Sequence, residues 1–386
     1  MVMTNDQPVD ATPMGKTVEE YLAELDGLIA PDHQAAVEER QLKSFRYEPV
    51  DHIPVMVTLR DDVSHQTFGS SGWPTFAWPE QMKDWDHMLL NELAPAYESA
   101  LLKDDKCFSI RPNLGIGTIP TLFGCSIDCS DPVLDSMPWV VRTEGHTKEF
   151  LQGLIDNGVP EPSGGVLETY AKIVACWRDR LAPYPNLKRF CHITLPDNQG
   201  PFNLSFHLRG TELYTDILDD PDFVHNLLNL MTETYIAVSR WSKTINGEAI
   251  DEGYYWNWHL NGGVRNVDDN SVLLGPDQYA EFVKPYNSRA LSAFSGGAHH
   301  FCGEGFQIFP HVCEIESISA VHFGNPEMQH FEEIHPELAK RKICILWDHP
   351  LDGEHRAAAS TGIVVRETVR TLDAAKARLD DYRKGW

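Results

Sequence analysis

The chain contains no apolar run of about eighteen residues or more, so no membrane-spanning helix is expected. Its N-terminus, Met1 to Lys16, lacks the basic start and apolar middle of a signal peptide and reads as a flexible tail. Positive charge is scarce: 32 Lys and Arg face 57 Asp and Glu, a formal net charge of −25. A surface that acidic repels nucleic acid and anionic membrane, while leaving room for a local basic pocket that takes a small-molecule substrate. No CxxC pair occurs among the eight cysteines, which fits reduced thiols in a cytoplasmic protein better than a disulfide framework. Also missing are GxxxxGK[ST], HExxH and GxSxG, and with them the ordinary signatures of phosphate cradles, zinc peptidases and serine hydrolases. Gly115-Ile-Gly-Thr-Ile-Pro120 starts like a dinucleotide fingerprint but ends in proline without a strand–turn–helix setting.

Short apolar runs alternate with longer helical patterns. Strands are predicted at residues 53–59, 107–110, 187–195, 253–259, 298–302, 318–323, 343–347 and 362–366. A helix is predicted over residues 17–44. Another opens at Asp220-Pro221, a capping residue followed by proline, and stops at Gly247. A third spans residues 275–297, with Pro285 expected to break it, and a last helix covers 372–383. Such alternation argues for a parallel sheet, and about eight strands suit a (β/α)8 barrel with an N-terminal helical extension. The predicted organisation is one domain over residues 17–386; an open doubly wound sheet is the alternative fold.

The segment richest in chemistry is Gly296-Gly-Ala-His-His-Phe-Cys-Gly303. In a strand, residues i and i+2 share a face, so His300 and Cys302 project together. They do so near the carboxyl end of the strand, where barrel active sites lie. Imidazole and thiolate make a half-site for zinc, and a zinc with an open position activates a bound thiol. Cysteine is also among the most buried residue types, so core packing accounts for the same pattern.

Five segments in order resemble the uroporphyrinogen decarboxylase superfamily, which includes porphyrinogen decarboxylases and zinc-dependent methyltransferases acting on methylated corrinoids. They are Arg46-Tyr-Glu-Pro-Val-Asp-His-Ile-Pro-Val55; Gln199-Gly-Pro-Phe202 with Leu208-Arg-Gly210; Asp219-Asp-Pro-Asp-Phe-Val-His225; Leu274-Gly-Pro-Asp-Gln-Tyr-Ala-Glu-Phe-Val-Lys-Pro-Tyr286; and His300-Phe-Cys-Gly303. The resemblance implies the barrel fold, with His300 and Cys302 matching the methyltransferases' HxC zinc ligands. Their third ligand is a cysteine after the last strand, which this chain lacks; Asp348, His349 and Glu327 are the candidates for that position. The decarboxylases' arginine-rich loop is reduced here to Arg60, followed by Asp61 and Asp62, which would repel a polycarboxylated porphyrinogen.

Arg60, Arg209 and Asp269 are the candidate catalytic residues, and Asn257, His259 and Gln199 the candidate substrate contacts. Asp268 and Asp269 also read as ordinary helix caps, Arg209 as a structural ion pair, and His259 as an interface histidine. The leading expectation is a zinc-dependent methyltransferase-like enzyme. A corrinoid would serve as methyl donor, free or on a partner corrinoid protein; related barrels are often dimers, so a homodimer is compatible with the resemblance, while the sequence does not fix the oligomeric state. The alternatives are a metal-free decarboxylase or lyase and a non-catalytic ligand-binding barrel.

Overall fold

The computed structural model describes residues 15–60, 71–129, 136–142, 145–351 and 353–384. Asp61, Asp62 and nearly all of the expected N-terminal tail lie outside the described residues. The strands, in chain order, are β1 (Val55–Leu59), β2 (Ser109–Ile110), β3 (Ser126–Asp128), β4 (Trp139–Val141), β5 (His192–Ile193), β6 (Glu252–Tyr255), β7 (Trp258–Asn261), β8 (Val264–Val267), β9 (Gly297–Phe301), β10 (Ile318–Phe323), β11 (Cys344–Trp347) and β12 (Ile363–Val369). Six of them form one parallel sheet in the order β1-β12-β11-β10-β9-β8. β2 and β5 make a separate parallel pair; β3 with β4, and β6 with β7, are antiparallel hairpins. The mixed α/β architecture with its parallel sheet is compatible with a (β/α)8 barrel.

Helix boundaries follow local chemistry. The predicted helix over residues 17–44 is two helices, Val18–Leu28 and Pro31–Phe45, because Pro31 can start a helix but not continue one. Thr17 caps the first through a reciprocal box with Glu20. Asp220 caps the long Pro221–Asn246 helix, and left-handed Gly247 ends it. Pro285 sits in the first turn of a new helix, so the third predicted helix divides into Pro276–Phe282 and Lys284–Ser292. Residues 187–195 are not one strand but the end of helix Pro185–Phe190 followed by the two-residue β5.

The larger correction concerns residues 253–259. They are not one strand but β6, a turn at Trp256 and Asn257, and the start of β7. Both turn residues have left-handed φ, 47° and 67°, as a two-residue hairpin turn requires. The hairpin covers one face of the parallel sheet. Tyr255, Trp258 and Leu260 pack with Phe45 against Met56, Ala298, Ala320, Cys344, Leu346 and Val364. Those sheet residues alternate with Val55, Val57, Val321, Phe323, Ile345, Ile363 and Val365, which belong to the larger core cluster on the other face. Alanines at 298 and 320 leave the space that Trp258 fills.

β1 ends the sheet; on its open side the N–H groups donate to side chains, and the Val55 carbonyl accepts the Asp105 backbone N–H at 3.0 Å. Val55 N–H donates to Asp105 (2.9 Å), Val57 N–H to Asp104 (2.8 Å) and Leu59 N–H to Glu98 (3.3 Å). The Lys106 ammonium donates to the Val57 carbonyl and pairs with Asp104. Glu98 is fully buried, and burial raises its pKa to about 7 despite the nearby Lys106.

Candidate functional site

Consecutive strands β8, β9 and β10 deliver the polar groups. Val267, His300 and His322 lie side by side in register. Two residues beyond Val267 comes Asp269; two beyond His300 comes Cys302. His300 Nε2 lies 3.4 Å from Cys302 Sγ and 3.4 Å from an Asp269 carboxylate oxygen. That oxygen also accepts the Cys302 backbone N–H at 2.7 Å, which fixes the carboxylate against the β9 turn. The three ligand atoms all lie within 4.8 Å of one another.

This donor set fits a divalent metal. Zinc bonds of about 2.0–2.3 Å at tetrahedral angles separate ligand atoms by roughly 3.3–3.8 Å, which spans the two 3.4 Å contacts. Burial, with help from Arg265 and His322, holds His300 well below its usual pKa, so its imidazole is neutral as a ligand must be. Burial and then Asp269 push the Cys302 thiol up to about 12; a cation between them would reverse that order and favour the thiolate. Gly324 closes the back of the pair: a Cβ there would lie 2.5 Å from Cys302 Sγ and 3.0 Å from His300 Cε1.

The carboxylate beside His300 and Cys302 is Asp269, not one of the residues expected in the third ligand position. Asp348 is held instead by His322 (3.1 Å) and Arg366 (3.1 Å). Although burial works against it, the Arg366 guanidinium and the hydrogen bond from His322 keep Asp348 ionised, with a pKa of about 2. Glu327 accepts from Asn325, and it lines a separate cavity together with exposed His349.

Next to the cluster is a cavity of about 400 Å³ lined by Arg60, Arg111, Arg366, Trp256, Asn257 and Asp348, among others. Trp256 forms the wall between the two. Its ring meets the edges of His300 and His322, and the Arg265 guanidinium lies 4.1 Å from its centroid. Behind the wall, buried Asp197 receives Arg111 (3.0 Å) and the Tyr255 hydroxyl (2.7 Å).

No family model matches the chain. Over 269 residues it is 21% identical to the methylcobamide:CoM methyltransferase MtbA of Methanosarcina mazei, covering 69% of each chain. The chain is thus distantly similar to a methyltransferase. Among the described residues no helix is long and apolar enough to cross a membrane, and all eight cysteines are free of disulfides.

The other predicted residues scatter. Arg60 and Asn257 line the cavity. His259 stacks on Tyr254 and binds the Glu38 carbonyl and Glu252, so its imidazole is occupied elsewhere. Gln199 is buried, donating to Asp197 and accepting from Asn203. Arg209 is clamped to Asp216 at 2.6 Å and borders a different cavity, with Arg142 and Lys148. Sequence reasoning missed Arg111, Arg265, His322 and Arg366. The usable signal was parity: His322 stands opposite His300, and Arg366 faces inward like Val364 beside it.

Proposed function

We propose that the chain is a metal-dependent methyltransferase-like enzyme of the uroporphyrinogen decarboxylase superfamily, folded as a (β/α)8 barrel from about residue 17. The observation that carries this reading is the convergence of Asp269, His300 and Cys302 beside a cavity sized for a small molecule. The distant similarity to a corrinoid methyltransferase supports it, as do the six-stranded parallel sheet and the β2–β5 pair, eight parallel strands together. Asp269, His300 and Cys302 would hold the metal, with zinc the best match for nitrogen, thiolate and carboxylate donors. When bound, the metal would present a thiol or other nucleophile in its open position at reduced pKa.

The chain's own residues do the rest. His300 enters as a neutral ligand, and Asp269 supplies both a ligand oxygen and the brace on the Cys302 backbone. His322, fixed by Asp348, packs against the His300 ring with centroids 4.5 Å apart and holds its orientation. Trp256 and the β6–β7 hairpin keep water out of the space beneath. The methyl donor would be a corrinoid, brought free or on a partner protein.

Metal content of the untagged full chain, beside His300→Ala, Cys302→Ala and Asp269→Ala, tests the proposal. About one zinc per chain, lost in all three variants, is the expected result. A protein that stays metal-free after reconstitution would overturn it. The arginine-lined cavity would then favour the metal-free decarboxylase or lyase reading.

A further inference from the structure

A second cavity, of about 490 Å³, lies away from the cluster. Glu252, on its wall, bridges to Gly262 just before β8, whereas Asp269 follows the end of that strand. The cavity and the cluster therefore sit at opposite ends of β8. The C-terminus of the Pro221–Asn246 helix shapes the cavity. Gly247 is left-handed, with φ 65°, and the turn it makes brings Asn246 and Glu248 to the same wall. Asn246 Oδ1 accepts the Tyr170 hydroxyl at 2.7 Å, which fixes the amide and leaves Nδ2 buried without an acceptor. Glu248, its side chain 8% exposed, takes the Tyr254 N–H on Oε1 at 3.2 Å. Its Oε2 lies 3.1 Å from the Lys243 ammonium but off the line of a hydrogen bond, and that ammonium donates to the Glu252 carbonyl at 2.7 Å. One donor and one acceptor thus stand unmatched on one wall, where buried polar groups are nearly always matched.

We infer that this cavity binds an uncharged planar ring with a lactam edge, the edge of uracil and of the 6-oxopurines. A lactam offers its carbonyl to the Asn246 N–H and its neighbouring ring N–H to the Glu248 carboxylate. An amino-substituted edge, as in cytosine or adenine, carries no such ring N–H, and the Tyr170 hydroxyl keeps Asn246 from turning over to read it. His192 and Tyr254, stacked with centroids 3.5 Å apart and planes at 4°, form a wall suited to a flat ring. Charge favours a neutral ligand: Lys243 balances Glu248, and the rim sets Arg178 and Lys188 against Asp179 and Glu252. The volume lies within the range for small-molecule sites. The site uses none of the groups assigned to the metal, so it stands independently of the proposed function.

Calorimetric titration of the full chain with neutral nucleosides tests the site, uridine and inosine against cytidine and adenosine. Burial raises the Glu248 pKa to about 7, so the titration is run at about pH 8, where the carboxylate form accepts. At least one of uridine and inosine is expected to bind saturably, and roughly tenfold or more tighter than its amino counterpart. Glu248→Gln keeps an oxygen for the Tyr254 N–H but turns a donor towards the ring. Asn246→Asp keeps an oxygen for Tyr170 but turns an acceptor towards it. Each should weaken binding roughly tenfold or more. Asn246→Asp leaves the Lys243–Glu248 pair whole, so it carries the test if Glu248→Gln does not fold. His300→Ala should leave nucleoside binding intact, which separates this inference from the metal reading. Equal binding of the amino nucleosides, no binding of any nucleoside, or wild-type affinity in the folded variants would each overturn it.

Discussion

The tightest geometric demand at the cluster falls on a residue that is not a ligand. Alanine at Gly324 would place its Cβ 2.5 Å from Cys302 Sγ. Nonbonded atoms rest at about 3.5–4.0 Å, so the sulfur must retreat by roughly 1 Å or more. Metal–ligand distances tolerate about 0.2 Å, so such a retreat removes the thiolate from its coordinating position. The fold should hardly notice. Gly324 does not have left-handed φ, its N–H bond to the Phe301 carbonyl is kept, and the thiol is the movable end of a side chain. Gly→Ala at a compatible position stabilises by about 0.4–1 kcal/mol through the unfolded chain, which offsets some of the crowding. Gly324→Ala is therefore expected to match wild type within about 1 kcal/mol in urea denaturation, yet to lose zinc affinity by more than the roughly 10–100-fold typical of supporting residues. Competition with a chromophoric chelator reads the affinity. Wild-type zinc affinity in Gly324→Ala, alongside loss in Cys302→Ser, would refute the geometry of the pair.

Asp348→Asn should destabilise the fold by roughly 1.5–3 kcal/mol in urea, because His322 and Arg366 lose their shared anion; an unchanged urea midpoint would contradict it. Glu98 has a folded pKa of about 7 against an ordinary 4.5, so the folded chain binds more protons than the unfolded chain between those values. Its contribution to stability is fully present below about pH 4.5 and lost as pH rises through 7. The stability of Glu98→Gln relative to wild type should therefore climb across that window, by up to about 3 kcal/mol; a flat difference in urea midpoints from pH 4.5 to 8 would contradict it. Trp258→Ala should cost about 3–5 kcal/mol, since the surrounding alanines cannot collapse into the space. A smaller loss by denaturation would mean that the hairpin repacks.

His300 and Cys302 were legible because they alternate in an apolar strand, and β10 was predicted at its observed bounds for the same reason. Asp269 was in view only as a catalytic or capping residue. The strand that aims it, β8, went unrecognised because Arg265 and Asn266 interrupt its apolar run. Both are buried, Asn266 against His299 and Arg265 over Trp256. Tertiary partners thus overrode the composition signal. The β6–β7 turn was hidden differently: Trp256 and Asn257 carry no glycine or proline, and their left-handed backbone is stabilised by Asn257 N–H donating to Ser109 and its carbonyl accepting from Cys107 and Gln41. No pairwise pattern along the chain encodes contacts that distant. Arg209 shows the converse, a family-like position occupied by a local ion pair.

The open side of β1 has one more consequence. A free strand edge is an invitation to other chains, and the usual defences are a bulge, a proline or a stray lysine. Here the donors that an incoming strand would need are already taken by the buried carboxylates of Asp104, Asp105 and Glu98, and the Val55 carbonyl by the Asp105 backbone N–H. Side chains have no onward edge, so pairing stops with them. The same carboxylates that complete the sheet therefore keep copies of this protein from adding strand to strand there, a protection against aggregation that lasts only while residues 98–106 stay docked.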